Sequence, residues 1–186
     1  LHLFIYLLKG KIIMAKAKKE KTTAEEKVKT NQIGLEKSET APINEKLNAL
    51  LSSYHVFYQN VRGYHWNVKG EHFFSLHTKF EELYTELQLQ IDEIAERILT
   101  LAGTPLHAYS DFTKHSSIKE DKNVFDGREC VEGLVSGLQE LIEEQRSVIE
   151  AAGEAGDEGT VDLITGYVQA QEKLIWMYNA FLGVKK

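Results

Sequence analysis

Phe80, Leu83, Leu87, Ile91, Ile94, Ile98 and Leu101 recur three and four positions apart, with no proline or glycine between them. That rhythm lines one side of an α-helix, and a run of this length fits no ordinary strand. Such a stripe must be covered by other elements, because an isolated amphipathic helix gains little of its stability from propensity alone. The 186 residues hold only two prolines, Pro42 and Pro105. Long segments rich in Leu, Glu, Gln, Ala and Lys surround them, and these residues enter a helix at the least cost. With 42% hydrophobic and 27% charged residues, the chain reads as one all-α domain with a core of its own.

Four long helical patterns are expected. The first covers about 43–68, with Leu47, Leu50, Tyr54, Phe57, Val61 and Tyr64 on its buried stripe and Gly70 as its stop. The second covers 71–102 and ends at the Gly103, Thr104, Pro105 breaker. The third starts at Asp126, where Asp126 and Glu129 have capping-box spacing, and runs to about 152. The fourth covers 158–182. Between the second and third, 104–125 lacks sustained periodicity and is long for a connection, so it is read as a crossover with a short helix near 110–114. Two antiparallel helix pairs joined by one long crossover make the ferritin-like four-helix bundle.

Around the second helix, Lys79, Glu82, Glu86, Gln90, Glu93 and Arg97 fall opposite the apolar sector. They are expected to face solvent, with Glu93 and Arg97 placed for an i,i+4 ion pair. A third stripe carries His77, Glu81, Asp92 and Glu96 among Thr85, Gln88, Ala95 and Leu99, a mixed surface suited to a subunit contact. His77 with Glu81 and Asp92 with Glu96 each repeat at i,i+4, so each pair stacks on one face. At about 1.5 Å per residue, Glu81 and Asp92 are roughly 16 Å apart along the axis, too far to share an ion. A symmetric dimer with antiparallel helices would lay each first pair against the other copy's second pair and make two equivalent sites.

His65 lies twelve residues before His77, and a turn at Gly70 should bring the two imidazoles together. Imidazole nitrogen with carboxylate oxygen suits iron, zinc or manganese, and paired carboxylates can bridge two metals. Any one of these residues alone is as readily a surface or interface group; their agreement on one stripe singles them out. The Glu-x-x-His pairs of intra-bundle di-iron sites are absent.

Charge is segregated along the chain. Residues 1–29 hold eight lysines and three glutamates, net +5, against −11 for the remainder. Residues 1–41 are therefore expected to be a disordered lysine-rich extension ahead of a domain at 42–184. Met14 is the first methionine, so 1–13 are read as upstream of the true start. Lys16, Lys18, Lys19, Lys21, Lys27 and Lys29 form a basic arm that can grip nucleic-acid phosphate; a solvated tail is the alternative. The apolar run 3–8 is too short for a membrane span, and its lysines follow it instead of preceding it, so neither a membrane partner nor a signal peptide is expected. Cys130 is the only cysteine, which excludes an intrachain disulfide and fits a reducing cytoplasm.

The runs YHWNVKGEHFFSLHTKFEELY and QIDEIAERILTLAG, with the closing EKLIWMYNAFLG, resemble the Dps family of mini-ferritins over about 44–183. That resemblance implies a ferroxidase centre shared across a dimer interface. The His of its HW dipeptide, the His of its LH dipeptide and the Asp and Glu of its D-x-x-x-E element fall on His65, His77, Asp92 and Glu96. Glu81 stands where the family usually has Asp. The resemblance further implies a dodecameric shell, cytoplasmic and nucleoid-associated, that oxidises Fe(II), preferably with hydrogen peroxide, stores Fe(III) and protects DNA from oxidative damage. Each site would hold two irons, with zinc as a substitute. Trp66 would trap stray oxidising equivalents, assisted by Tyr64 and Tyr84; core packing is the other reading of these rings. Asp157 and Asp162 would line iron-entry pores, with helix capping as the ordinary alternative. Two competing functions stand beside iron oxidation: DNA compaction through the lysine tail with metal chemistry secondary, and a purely structural shell. His55, His72, His107 and His115 lack a partner at ligand spacing and are read as structural or surface groups.

Overall fold

A computed structural model describes residues 29–183. The elements are α1 (Lys37–Asn67), α2 (Phe73–Thr100), the short α3 (Tyr109–His115), α4 (Gly127–Glu154) and α5 (Glu158–Leu182). Among the described residues, β-pairing is confined to two isolated bridges, Thr30 with Glu36 and Lys69 with Asp126. Helix α1 packs on α2, α4 packs on α5, and α1 and α4 join the two pairs. The result is the all-α four-helix bundle with a short helix in the crossover.

The apolar stripes close on one core. Leu47, Leu50, Tyr54, Phe57, Val61 and Tyr64 of α1 meet Phe80, Leu83, Leu87, Ile94 and Ile98 of α2 and Leu134, Leu138 and Leu141 of α4, all buried. Helix α1 begins six residues before the expected position, so 37–41, expected in the extension, are helical and Pro42 lies inside the helix. A proline there removes the bond to the Ser38 carbonyl. Ser38 and Pro42 are both exposed, so the lost bond lies on a turn open to solvent.

Asp126 caps α4 as expected, accepting from the backbone N–H groups of Arg128 (2.9 Å) and Glu129 (3.1 Å). The crossover is held to α1 by side chains that satisfy its backbone. Asn48 donates to the Thr104 carbonyl and accepts from Leu106 N–H, Ser53 accepts from Ser117 N–H, and Asn60 donates to the Lys119 carbonyl and accepts from Asp121 N–H. An irregular segment of this length needs such partners wherever water cannot reach its polar groups. His55 stacks on Phe112 of α3 at 3.8 Å, and burial pushes its pKa down, so it serves as a neutral packing group.

Two expectations for α2 are corrected. Gln90 is only 3% exposed, not solvent-facing. Glu93 and Arg97 do not pair; Glu93 accepts from the Tyr167 hydroxyl (2.5 Å), and Arg97 bonds Asp157 and Thr160 across the bundle. The cause is the neighbour: α5 covers this flank of α2, so the polar side chains find interhelical partners instead of each other.

Candidate metal centre

The link between α1 and α2 builds the site. Gly70 adopts φ +104°, a region that favours glycine. Phe73 N–H bonds the Gly70 carbonyl, and Lys69 N–H bonds Phe125 O at the end of the crossover. This tight reversal sets the last turn of α1 beside the first turns of α2, and His65 meets His77 there.

The two imidazoles stack with centroids 3.8 Å apart and planes 18° from parallel. His65 Nδ1 lies 2.8 Å from the His77 carbonyl, and His77 Nδ1 lies 2.8 Å from the His65 carbonyl. A carbonyl can only accept, so each Nδ1 carries its proton and donates. Each Nε2 is left with a free lone pair in the neutral ring. Orienting a ligating histidine through its other nitrogen is how outer partners prepare metal sites. Phe73 stacks on His77 from one side, and Tyr84 stands edge-on to His65 at 5.2 Å. His65 is 8% exposed while Glu81, Asp92 and Glu96 are more open to solvent, so the pair sits at the margin of an open carboxylate face.

Glu81 lies one turn beyond His77, and its carboxylate accepts from the Tyr84 hydroxyl at 3.4 Å. Desolvation, then the Glu81 charge, raises the Tyr84 pKa, so that phenol stays protonated. Asp92 and Glu96 lie further along α2. Among the described residues, no group of three or more His, Cys, Asp or Glu comes close enough to hold a metal ion. One protomer thus brings together His65 and His77 with Glu81 nearby, and not Asp92 or Glu96 with them.

Other candidate residues separate by environment. Trp66 is 57% exposed in the protomer, which removes core packing as its role there. Tyr64 is buried and donates to Asp121; burial pushes its pKa up. Cys130 is buried and its thiol is pushed up to about 11, so it remains a protonated packing group. Lys29 is exposed, while Lys16, Lys18, Lys19, Lys21 and Lys27 lie outside the described residues.

Asp157 requires a correction. It is 2% exposed, caps α5 by accepting from Thr160 N–H (3.1 Å), accepts the Thr160 hydroxyl (2.5 Å) and pairs with Arg97. A carboxylate this buried, bonded by three donors and neutralised by Arg97, is not presented to a hydrated cation at the surface. It is a capping and cross-bracing residue, whereas Asp162 is exposed.

One buried polar group was missed by sequence reasoning. Tyr54 of α1 is bonded by Gln145 Nε2 of α4 (2.7 Å) and Gln171 Nε2 of α5 (2.8 Å) in the centre of the bundle. The signal was a glutamine on each apolar stripe, after Leu138 and Leu141 in α4 and after Ile164 and Val168 in α5. Neutral amides and a phenol occupy this layer.

Known proteins place the chain. The ferritin-like domain model matches residues 44–186. The DNA protection during starvation protein of Porphyromonas gingivalis is 42% identical over 148 residues, covering 80% of this chain and 93% of that protein. The crystal structure of a DPS protein from Vibrio cholerae O1, described as a member of the ferritin-like diiron-carboxylate superfamily, aligns with a TM-score of 0.82. It is 52% identical and covers 83% of this chain and 97% of that one. Dps from Listeria innocua, solved after soaking with zinc, aligns with a TM-score of 0.74 at 34% identity, covering 76% of this chain and 96% of that one. With the ferritin-like model matched over most of the chain and Dps relatives at this identity and coverage, the chain belongs to the Dps family of ferritin-like proteins.

Proposed function

We propose that this protein oxidises Fe(II) at sites shared between two copies of the chain and stores the ferric product in a hollow dodecameric shell, with hydrogen peroxide as the preferred oxidant. The observation that carries this reading is the reciprocal bonding of His65 and His77. It leaves the Nε2 of each ring free to ligate, on the helix face that carries the carboxylate stripe. A single protomer gathers too few ligands, so Asp92 and Glu96 of a second copy complete the set, with Glu81 beside the imidazoles. Ferrous iron is the substrate, and neutral imidazole with carboxylate suits it; zinc competes for the same donors.

The chain's residues then have distinct tasks. His65 and His77 each offer Nε2 to a ferrous ion, and the carboxylates supply the remaining donors and offset the charge of both. Two ferrous ions give one electron each to one hydrogen peroxide, which takes up two protons and leaves as two waters, so no hydroxyl radical is released. Trp66 and Tyr84 stand close by to donate an electron when the second ferrous ion is missing. Asp162 serves an entry route for iron. Sequestering iron while consuming peroxide protects DNA in the cytoplasm and nucleoid.

The test compares peroxide-driven Fe(II) oxidation in wild type and in His65→Ala/His77→Ala, with native mass measured for both. Loss of the fast phase from an intact assembly supports the site, and an unchanged rate refutes it. DNA compaction is a second reading, favoured by the +5 charge of residues 1–29 on an acidic body. Deleting 14–29 then abolishes a gel shift. With six lysines on phosphate, log affinity falls against log salt with a slope no steeper than about −5.

A further inference from the structure

Arg62 is a charged neighbour of the histidine pair for which the chemistry above has no use. It lies three residues before His65 on α1. Its guanidinium carbon is 4.7 Å from the Trp66 ring centre, 5.3 Å from that of Tyr58 and 5.9 Å from that of Tyr84. Tyr84 meets Tyr58 edge-on at 6.2 Å and His65 edge-on at 5.2 Å. The Tyr84 ring is therefore a neighbour of both the cation and the His65 imidazole.

The other three arginines among the described residues each bond a carboxylate: Arg97 with Asp157, Arg128 with Glu132 and Arg146 with Glu172. Arg62 has no such bond among the described residues; aromatic faces hold it instead. Ring quadrupoles attract a cation but carry no net charge, and the Glu81 carboxylate reaches the Tyr84 hydroxyl without bonding the guanidinium, so the positive charge next to the site has no direct ion-pair partner.

We infer that Arg62 is a positioning residue that weakens uptake of the second divalent cation at the His65–His77 site, an inference that rests on the metal-site reading above. Each added cation works against the fixed guanidinium, and the second one meets the first as well. The aromatic box keeps the cation in place and braces Tyr84 against His65. Weak second occupancy suits a centre whose metal is cargo, because a product of higher charge is repelled more strongly than the ion that entered.

The test uses anaerobic Co(II), which binds without being oxidised, with calorimetry and visible absorption on the full chain in its native assembly. Arg62→Gln tightens the weaker Co(II) step by roughly three- to tenfold, and added salt narrows the gap from wild type. Arg62→Lys keeps the charge, so its Co(II) steps stay close to wild type even as Trp66 fluorescence reports an altered stack. Equal or weaker binding in Arg62→Gln overturns the inference. So do equal changes in both variants, which would make Arg62 a packing group or the partner of a carboxylate on a second copy. Wild type that binds no Co(II) through His65 and His77 defeats the metal-site reading along with the inference.

Discussion

Replacing Asp157 by alanine removes two supports at once. The cap on α5 disappears, since Asp157 accepts from Thr160 N–H, and losing an N-cap costs about 1 kcal/mol. Arg97, whose side chain is 16% exposed, is left without its countercharge. Breaking a fully buried pair costs about 3–5 kcal/mol. Here the residual exposure lets water reach the guanidinium, and Thr160 Oγ1 still accepts from Arg97 Nε (2.8 Å), so the charge term is nearer 2 kcal/mol. The sum is about 3 kcal/mol, a fall in Tm of roughly 6–12 °C for a chain of this size. Asp157→Asn keeps the capping oxygen but loses the charge and the oxygen that accepts from the Thr160 hydroxyl, so it falls between alanine and wild type. Arg97→Met with Asp157→Ala removes both charges and recovers part of the loss. Thermal and urea unfolding at one fixed protein concentration measures all four proteins, since assembly makes stability concentration-dependent. An Asp157→Ala variant within about 0.5 kcal/mol of wild type, the range of ordinary surface substitutions, would refute the reasoning, as would a double variant no more stable than Asp157→Ala. Iron uptake adds a second check: intact Asp157→Asn shells fill at the wild-type rate.

In Gly137→Ala the new Cβ would lie 2.3 Å from the Phe57 ring, so overpacking costs about 1–3 kcal/mol and lowers the urea midpoint. A midpoint equal to wild type would show that Phe57 moves aside freely. Burial pushes Tyr54, Tyr64 and Tyr167 well above the ordinary tyrosine range and Tyr178 up to about 12. These phenols are favoured neutral in the folded state, so their stabilisation is complete below the ordinary value of about 10 and is lost as pH rises through the folded values. Ultraviolet absorbance of phenolate should show the buried phenols ionising together with the loss of helical circular dichroism. Smooth titration near pH 10 of every tyrosine in a still-helical protein would contradict it.

What the sequence disclosed follows the range of each interaction. Capping by Asp126 depends on residues two and three positions away, and the limits of α5 coincide with the expected 158–182, because Asp157 and Gly183 mark its ends by local chemistry. The convergence of His65 and His77 was legible from a twelve-residue spacing and a glycine turn. Their reciprocal carbonyl bonds were not, since these require the angle between two helices. A wheel drawn for one helix gives direction without neighbours. It placed Gln90 and Arg97 in water and paired Arg97 with Glu93, when α5 supplies Asp157, Thr160 and Tyr167 to that flank. The first helix was expected from about 43, but α1 starts at Lys37 and runs through Pro42, because a proline whose lost bond lies on an exposed turn does not stop a helix that is packed further along.

The central claim is that no single copy of the chain completes the site, and co-assembly tests it directly. His65→Ala/His77→Ala protomers are mixed with Asp92→Ala/Glu96→Ala protomers, unfolded and reassembled together, and fast Fe(II) oxidation is measured against each parent. Random pairing makes half the dimers mixed, each with one intact site of two, so about a quarter of wild-type activity should return where both parents have none. Activity that stays at the level of the parents, in shells shown by native mass to contain both chains, would contradict a site shared between copies.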